Sequence, residues 1–221
     1  ISRSEEIVSL HRAYLEAGCN ILKANTFGAY SHKYKNYAEM ISKALENARL
    51  AVKAHGDDGT EHYIAYDMGP LGRMLKPLGD LDFEDAVDIF ARSVRAAVKA
   101  GADLILIETM SDAYETKAAV LAAKENSTLP VFVTNAYDET GKLMTGADPQ
   151  AMVALLEGLR VDALGINCSL GPRQMIPVVR ELLQNASVPV IVNPNAGLPR
   201  SENGKTVYDV GAEEFSDLMR E

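Results

Sequence analysis

Tryptophan is absent from this 221-residue sequence, and cysteine occurs only twice, at Cys19 and Cys168. Two cysteines are too few for a disulfide framework, which indicates a reducing compartment. Long apolar runs are also missing: stretches such as LILI at 104–107 fall far short of the roughly 20 residues that a membrane span needs. Because the N-terminus has no charged leader followed by an apolar segment, we expect a cytoplasmic protein without a membrane partner.

Blocks of positive charge are missing as well. The formal net charge is -9, and residues of both signs are spread along the chain without interleaved basic and aromatic residues. A protein that binds a phosphate backbone needs a basic surface of that kind. We therefore expect no nucleic-acid partner.

Six short apolar runs rich in Val, Ile and Leu recur along the chain, and helical patterns separate them. The runs do not alternate with polar residues, which is typical of strands buried on both faces of a parallel sheet. They are NILKANTFG (20–28), YIAYDMGP (63–70), ADLILIETM (102–110), PVFVTNAYD (130–138), DALGINCS (162–169) and PVIVNPNAG (189–197).

Strands that alternate with helices form either an open doubly wound sheet or a (β/α)8 barrel. An open sheet concentrates its chemistry at one switch point, whereas a barrel gathers polar residues from the carboxyl ends of many strands. Nearly every predicted strand here ends in polar residues, so we predict an α/β fold with one (β/α)8 TIM barrel domain over residues 1–221. About six β/α units are present, and we expect the first and last strands to belong to a longer protein.

Several helix boundaries carry signals of their own. Helical patterns end at Gly18 and at Gly101, and Asp148 before Pro149 predicts a capping residue followed by a first-turn proline. Pro177 lies inside another helical pattern, so we expect that helix to start late or to kink.

The two cysteines are predicted to lie at opposite ends of their strands. Cys19 precedes its strand and Cys168 follows its strand, so the length of a typical strand, roughly 17 Å, separates the two levels. A disulfide needs Cα atoms within about 7 Å, which excludes a bond between them. We predict that Cys19 is a small core residue, whereas Cys168, on the face where barrels carry active sites, is either a core residue or a functional one.

The remaining strand ends argue against some barrel chemistries. None of the four histidines falls at a strand end, which disfavours a histidine-ligated metal hydrolase. Lys23 lies ahead of its strand end, at the lower rim, which disfavours a Schiff-base aldolase. A metal-free lyase would need an acid–base pair, for which Asp67 and Glu108 are the candidates.

Glu108 closes the apolar run LILIE, and a carboxylate there needs a partner because burial of an unpaired charge is costly. The partner is either an Arg or Lys of the protein or the ammonium group of a substrate. Asn25, Asn135, Asn167 and Asn195 also follow strands, where asparagine often satisfies loop backbone groups.

Six stretches together form a more specific pattern that covers almost the whole chain: NTFGA (25–29), YDMGPLG (66–72), GADLILIETMSD (101–112), DPQ (148–150), ALGINCSLGP (163–172), and PNAGLP (194–199) with ENGKTVY (202–208). In this order they resemble the homocysteine-binding barrel of homocysteine S-methyltransferases and cobalamin-dependent methionine synthases. The specific members are GINCSLGP and NPNAG, and the resemblance is closest to the N-terminal module of the cobalamin-dependent form.

The resemblance implies a zinc-dependent thiol methyltransferase. In the family, three cysteines hold the zinc ion; one lies in a GxNC setting that matches Cys168, and the other two would lie beyond Glu221. The resemblance also implies that Glu108 receives the substrate amino group and that Asn195 and Asn167, which lie near the metal, belong to the substrate-binding residues. Further candidates at the strand ends are Asn25, Thr26, Asp67 and Asn135.

The partners that the resemblance implies are a small-molecule thiol, homocysteine or one like it, and a corrinoid-binding module that carries methylcobalamin. We expect these 221 residues alone to be inactive, since one cysteine cannot hold the zinc. One alternative is an enzyme that takes its methyl group directly from S-methylmethionine or betaine, although a cationic donor favours an aromatic cage. Another is a degenerate barrel that keeps only a binding or scaffold role.

Overall fold

The computed structural model of the protein describes residues 3–202 and 204–221. The chain forms two compact units, Ile1–Ile107 with Ala118–Phe132 and Glu108–Lys117 with Val133–Glu221. In chain order the elements are α1 (Ser4–Glu16), β1 (Ile21–Lys23), α2 (Tyr37–His55), β2 (Tyr63–Met68), α3 (Phe83–Lys99), β3 (Leu104–Met110), α4 (Ala113–Asn126), β4 (Val131–Asn135), α5 (Pro149–Gly158), β5 (Ala163–Asn167), α6 (Pro172–Asn185), β6 (Val190–Asn193), β7 (Arg200–Glu202), β8 (Lys205–Val207) and α7 (Ala212–Arg220).

Six of the strands form one sheet in the order β1-β2-β3-β4-β5-β6, which is also their order along the chain. The strand pairs β1 with β2, β2 with β3, and β5 with β6 are parallel. Parallel neighbours need a crossover connection, and a helix lies between each of these six strands and the next. The predicted alternation of strands and helices is therefore confirmed.

The central strands are buried on both faces. All of β5 is buried, and so is all of β3 apart from the half-buried Thr109. In the first unit, Ala65, Leu104 and Leu106 form a core cluster against which Phe132 packs. Burying a Leu or Ile side chain stabilises the fold by roughly 1.5–3 kcal/mol. Continuous apolar runs are thus required here, because an alternating pattern would place polar groups against a helix.

The predicted helix boundaries are confirmed at several points. Asp148 accepts a hydrogen bond from the Ala151 amide at 2.9 Å, and Pro149 is the first residue of α5. α1 and α3 end two residues before Gly18 and Gly101. Glycine after a helix and aspartate before one therefore mark helix ends here, because the backbone groups left free at a helix end need a turn or a side chain to bond with them.

The late start predicted for the helix containing Pro177 is wrong. α6 begins at Pro172 and continues through Pro177. A proline is well accommodated in the first turn, where its nitrogen needs no partner, and a proline inside the helix removes one backbone hydrogen bond. Met175, Val178 and Leu182 are buried along the same helix. Their burial outweighs the loss of that bond.

β7 and β8 form an antiparallel hairpin that the sequence patterns did not predict. Each strand has three residues, and all of them except Val207 are exposed. Strands this short and exposed carry no apolar run that a sequence pattern could reveal. Within the described part of the chain, no helix is both long and apolar enough to cross a membrane.

Candidate active site

Cys168 directly follows β5 in the second unit, and its backbone adopts an unusual conformation. Its φ is +58°, and that of Ser169 is +59°. Few residues other than glycine adopt this left-handed region without tertiary support. The Cys168 amide donates to the Asn193 carbonyl at 3.1 Å, and the Cys168 carbonyl accepts from the Leu170 amide at 2.6 Å. These bonds hold the half-buried thiol in one place at the carboxyl end of the strand.

The two stretches that the sequence singled out, GINCSLGP and NPNAG, lie against each other. The Asn195 amide donates to the Leu170 carbonyl at 3.0 Å. A Cβ added at Gly171 would stand 2.9 Å from the Cα of Gly197, so the two backbones approach closely and a side chain would push them apart. Both glycines are therefore explained by packing, and Asn195 is brought next to the turn that carries Cys168.

Asn167, the residue before Cys168, is buried and ties together the ends of three strands. Its Oδ1 accepts from the Thr109 amide at 2.9 Å and from the Thr134 hydroxyl at 2.8 Å, and its Nδ2 donates to the Thr109 Oγ1 at 2.7 Å. All of these groups belong to the second unit. The Asn167 side chain therefore positions the ends of β3 and β4 relative to β5.

Thr109 is the residue that this arrangement holds most tightly. Its φ is +62°, which is a costly conformation for a β-branched residue. The two hydrogen bonds with Asn167 satisfy both its amide and its hydroxyl. Glu108 immediately precedes Thr109 and is 8% exposed. The clamp on Thr109 therefore also fixes the direction in which the chain presents Glu108.

Asn135, at the end of β4, is almost completely buried. Its Nδ2 donates to the Met110 carbonyl at 3.1 Å and to the Thr116 Oγ1 at 3.3 Å. Among the described residues, the Asn135 Oδ1 has no hydrogen-bond partner. A buried acceptor without a partner is uncommon and is often explained by a ligand or an ordered water.

A cavity of about 480 Å³ lies in the second unit and is lined by residues that follow three strands. Its lining includes Ser111 after β3, Ala136 after β4, and Ser169 and Leu170 after β5. Ser169 is the residue after Cys168, whereas Cys168, Glu108 and Asn135 are not themselves in the lining. Its volume lies within the range of small-molecule sites.

The candidates of the first unit form a separate set. Thr26 is buried, and its hydroxyl donates to the Asp67 carbonyl at 2.7 Å while accepting from the Asp67 amide at 3.0 Å. This pair joins the ends of β1 and β2. Asn25 is exposed and lines a cavity of about 280 Å³ whose other residues include Lys43 and Asn47.

The described residues around Cys168 can supply one ligand to a thiolate-bound metal. Both cysteines are free thiols, and Cys19 belongs to the first unit. Cys19, predicted in the core, is only half-buried. Within the described ranges, Cys168 is in no group of three metal-binding side chains. A half-buried thiol at a fixed strand end suits one position of a zinc site, and the remaining ligands are not among these residues.

A family model described as homocysteine S-methyltransferase matches residues 1–221. The chain belongs to the homocysteine S-methyltransferase family. The resemblance that the sequence motifs indicated is thus confirmed over the whole printed sequence. The candidate site residues stay predictions, because the family match does not test them one by one.

Two curated relatives of this chain are methionine synthases. The chain is 34% identical over 229 residues to that of Mycobacterium leprae (strain TN), a match that covers 99% of the chain and 19% of the relative. It is 32% identical over 209 residues to that of Mycobacterium tuberculosis (strain ATCC 25618 / H37Rv), covering 90% of the chain and 17% of the relative. The chain spans about a fifth of the length of these relatives.

Solved structures of the homocysteine methyltransferase MmuM from Escherichia coli share the fold. The apo form is 25% identical with a TM-score of 0.77, over 88% of this chain and 73% of that one. The metallated form is 24% identical with a TM-score of 0.80, over 89% of this chain and 74% of that one. The predicted fold class, an α/β chain with six β/α units of the TIM-barrel type, is confirmed.

Two residues that bond to the candidate Asn167, Thr109 and Thr134, were not identified as candidates from the sequence. Both are threonines next to a candidate that the sequence did identify, Glu108 in one case and Asn135 in the other. A polar residue inside an apolar strand, such as Thr134 in VFVTN, is the one signal that could have pointed to them. The left-handed backbone of Thr109 leaves no mark in the sequence.

Proposed function

We propose that this chain is the homocysteine-methylating module of a longer protein and that the product is methionine. The placement of Cys168 carries the proposal. Cys168 follows β5 at its carboxyl end, in a left-handed turn held by the Asn193 carbonyl, and the next two residues line a cavity large enough for an amino acid. Carboxyl ends of strands are where barrels of this type place their chemistry.

The reaction needs the substrate sulfur as a thiolate. A thiol with a pKa of about 8.5 is mostly protonated at neutral pH, and only the thiolate is a good nucleophile. In the transfer, a bond forms between the sulfur and the methyl carbon while the bond between that carbon and its donor breaks, and the thiol proton is released. A zinc ion with soft thiolate ligands, when bound, supplies the deprotonation.

In this proposal Cys168 contributes one thiolate to the zinc, and the other ligands come from outside the described residues. Asn167 keeps its structural bonds and acts by positioning, since its side chain is occupied by Thr109 and Thr134. Asn195 lies beside the Cys168 turn. Ligand-supporting residues of this kind orient the first ligands of a metal and tune them.

Glu108 is the proposed recognition group for the substrate ammonium. It is nearly buried, and the Thr109 clamp fixes its direction. A carboxylate attracts the ammonium group of an amino-acid substrate, and this attraction is stronger where water is largely excluded. Asn135 follows the next strand, and its Oδ1 is a hydrogen-bond acceptor that such a substrate could use. Asn25, Thr26 and Asp67 stay candidates of the first unit.

The methyl donor that we favour is a methylcorrinoid carried by another module. Two methionine synthase relatives, of which this chain spans about a fifth, support this choice because most of their length lies outside the match. Direct transfer from S-methylmethionine or betaine and a non-catalytic binding role are the alternatives. Different donors can be told apart by supplying each of them in turn.

The test compares Cys168→Ala with Cys19→Ala in the longest natural protein that contains this sequence. Methionine formation from homocysteine is measured with methylcobalamin, S-methylmethionine or betaine, and zinc per chain is measured alongside. We expect Cys168→Ala to lose one zinc and at least about 100-fold in rate, since even residues that only support a ligand typically cost 10–100-fold. Cys19→Ala should retain both.

Equal zinc and equal rates in the two variants would rule out Cys168 as a ligand. Homocysteine binding without methionine formation from any donor would favour the non-catalytic role. For the ammonium contact, Glu108→Gln should raise the KM for homocysteine more than it lowers kcat, because the lost interaction is present in both ground and transition states.

A further inference from the structure

A second group of metal-binding side chains lies in the first unit, between α2 and β2. His55 is the last residue of α2, Asp58 lies in the following loop, and His62 directly precedes β2. One ligand atom from each of the three lies within 4.8 Å of the other two. None of these residues belongs to the Cys168 region, which is in the second unit.

The contacts of His62 restrict which of its two ring nitrogens can donate a hydrogen bond. Its Nδ1 lies 3.2 Å from the Cys19 carbonyl, which can only accept a hydrogen bond, so Nδ1 carries a proton. Its Nε2 lies 3.2 and 3.3 Å from the two oxygens of Asp58. An ionised carboxylate also only accepts, so Nε2 must face it either with a second proton or across a cation.

Asp58 is held in its ionised form and in a fixed orientation. Hydrogen bonds from the Thr60 hydroxyl and from the Thr60 amide, the latter at 2.9 Å, hold the pKa of Asp58 well below its usual range. His55 approaches the same carboxylate, with its Nε2 3.2 Å from Oδ2. Two imidazole nitrogens therefore converge on one oriented carboxylate.

Burial and spacing both suit a metal site. The His62 side chain is 5% exposed and the His55 side chain 16% exposed, so both rings are largely withdrawn from solvent, whereas the Asp58 side chain is 39% exposed. Zinc bound at about 2.0–2.1 Å to nitrogen and oxygen separates tetrahedral ligand atoms by about 3.3 Å. Asp58 Oδ2 lies 3.2 Å from His55 Nε2 and 3.3 Å from His62 Nε2, and both distances agree with that separation.

The outer contacts are those of a metal-ligating histidine. Such a histidine donates its other ring N–H to a carbonyl or carboxylate, as His62 Nδ1 does to Cys19, and a ligating carboxylate is itself hydrogen-bonded, as Asp58 is by Thr60. Two imidazoles and one carboxylate are a donor set that first-row divalent cations accept, zinc among them.

We propose that His55, Asp58 and His62 bind a divalent first-row cation, zinc in the first instance, as a structural site independent of Cys168. The ion ties the end of α2 to the start of β2, and through the Cys19 carbonyl to the segment before β1. With three protein ligands, water completes the coordination.

The test counts zinc per chain in the longest natural protein that contains this sequence, after dialysis against a weak chelator. Asp58→Asn is compared with Asp57→Asn, the same chemical change one residue earlier at a side chain outside the group of three. We expect Asp58→Asn to lose one zinc relative to the wild type and Asp57→Asn to lose none. His62→Gln should repeat the loss.

A second measurement covers the case in which these variants fold poorly. Cys168→Ala protein stripped of metal is titrated with Co²⁺, which reports its ligands by absorption. We expect one equivalent to bind with a ligand-field spectrum that lacks a thiolate charge-transfer band and to raise the Tm. No binding of Co²⁺, or a zinc count equal in Asp58→Asn and Asp57→Asn, would overturn the site and leave the contacts of His55 and His62 with Asp58 as hydrogen bonds within the protein. Neither outcome bears on zinc at Cys168, which its own variant measures.

Discussion

Replacement of Asn167 by alanine should destabilise the domain strongly, although the side chain is neutral. The substitution removes three hydrogen bonds at once and leaves the Thr109 amide and the Thr134 hydroxyl without their acceptor. Each stranded donor in a buried position costs about 1–3 kcal/mol. We therefore expect a loss of about 4 kcal/mol in the free energy of unfolding, a large part of the stability of a typical domain.

The matched control is Asn193→Ala. Asn193 is paired with Asn167 in the sheet register, but it is exposed. The same change in chemistry at the same level of the neighbouring strand should therefore alter the free energy of unfolding by less than about 0.5 kcal/mol.

The assay is urea unfolding of both variants, combined with hydrogen exchange at the Thr109 amide. The midpoint should fall clearly in Asn167→Ala only, and the Thr109 amide should lose protection in that variant while retaining it in Asn193→Ala. If the two variants unfold at the same urea concentration, or if the Thr109 amide stays protected without Asn167, the clamp does not hold the end of β3.

Two other changes can be checked in the same way. Thr26→Val keeps the side-chain shape but removes the hydroxyl that bonds to the Asp67 amide and carbonyl. The free energy of unfolding, measured by urea titration, should fall by about 2–4 kcal/mol. Thr206→Val, the same change at an exposed position, should leave the free energy of unfolding nearly unchanged. Hydrogen bonds from the Ser187 amide and hydroxyl lower the pKa of Glu157 in the folded state, so ionised Glu157 stabilises the fold above the ordinary carboxyl pKa. The difference in the free energy of unfolding between the wild type and Glu157→Gln should therefore shrink as the pH falls from about 7 to about 3. A constant difference across that range would contradict this reasoning.

Much of the fold could be predicted from short-range signals. Asp148 and Pro149 start α5 because a side-chain acceptor and a missing N–H both suit the first turn. Continuous apolar runs predicted strands buried on both faces because only such strands can be apolar at every position. Cys168 could be placed at a strand end for the same reason: it follows a run that had to be a buried strand.

Contacts between residues far apart in the chain could not be predicted in this way. The family resemblance implied that Asn167 lies near a metal, and no sequence pattern indicated that its side chain bonds to Thr109 and Thr134, which are 58 and 33 residues away. A hydrogen bond between distant segments depends on strand register, and no local pattern encodes it.

The histidines show the same division between sequence and structure. Their positions in the sequence argue against His55 and His62 as ligands at the strand ends, because neither residue lies at the carboxyl end of a strand. The sequence determined that a helix ends and a strand begins within these few residues, since apolar periodicity and its interruption are local properties. Only the tertiary structure decided that both rings contact Asp58 and that His62 contacts the Cys19 carbonyl. The polar groups of a loop bond to whichever partners the neighbouring elements place within reach, and those partners come from distant parts of the sequence.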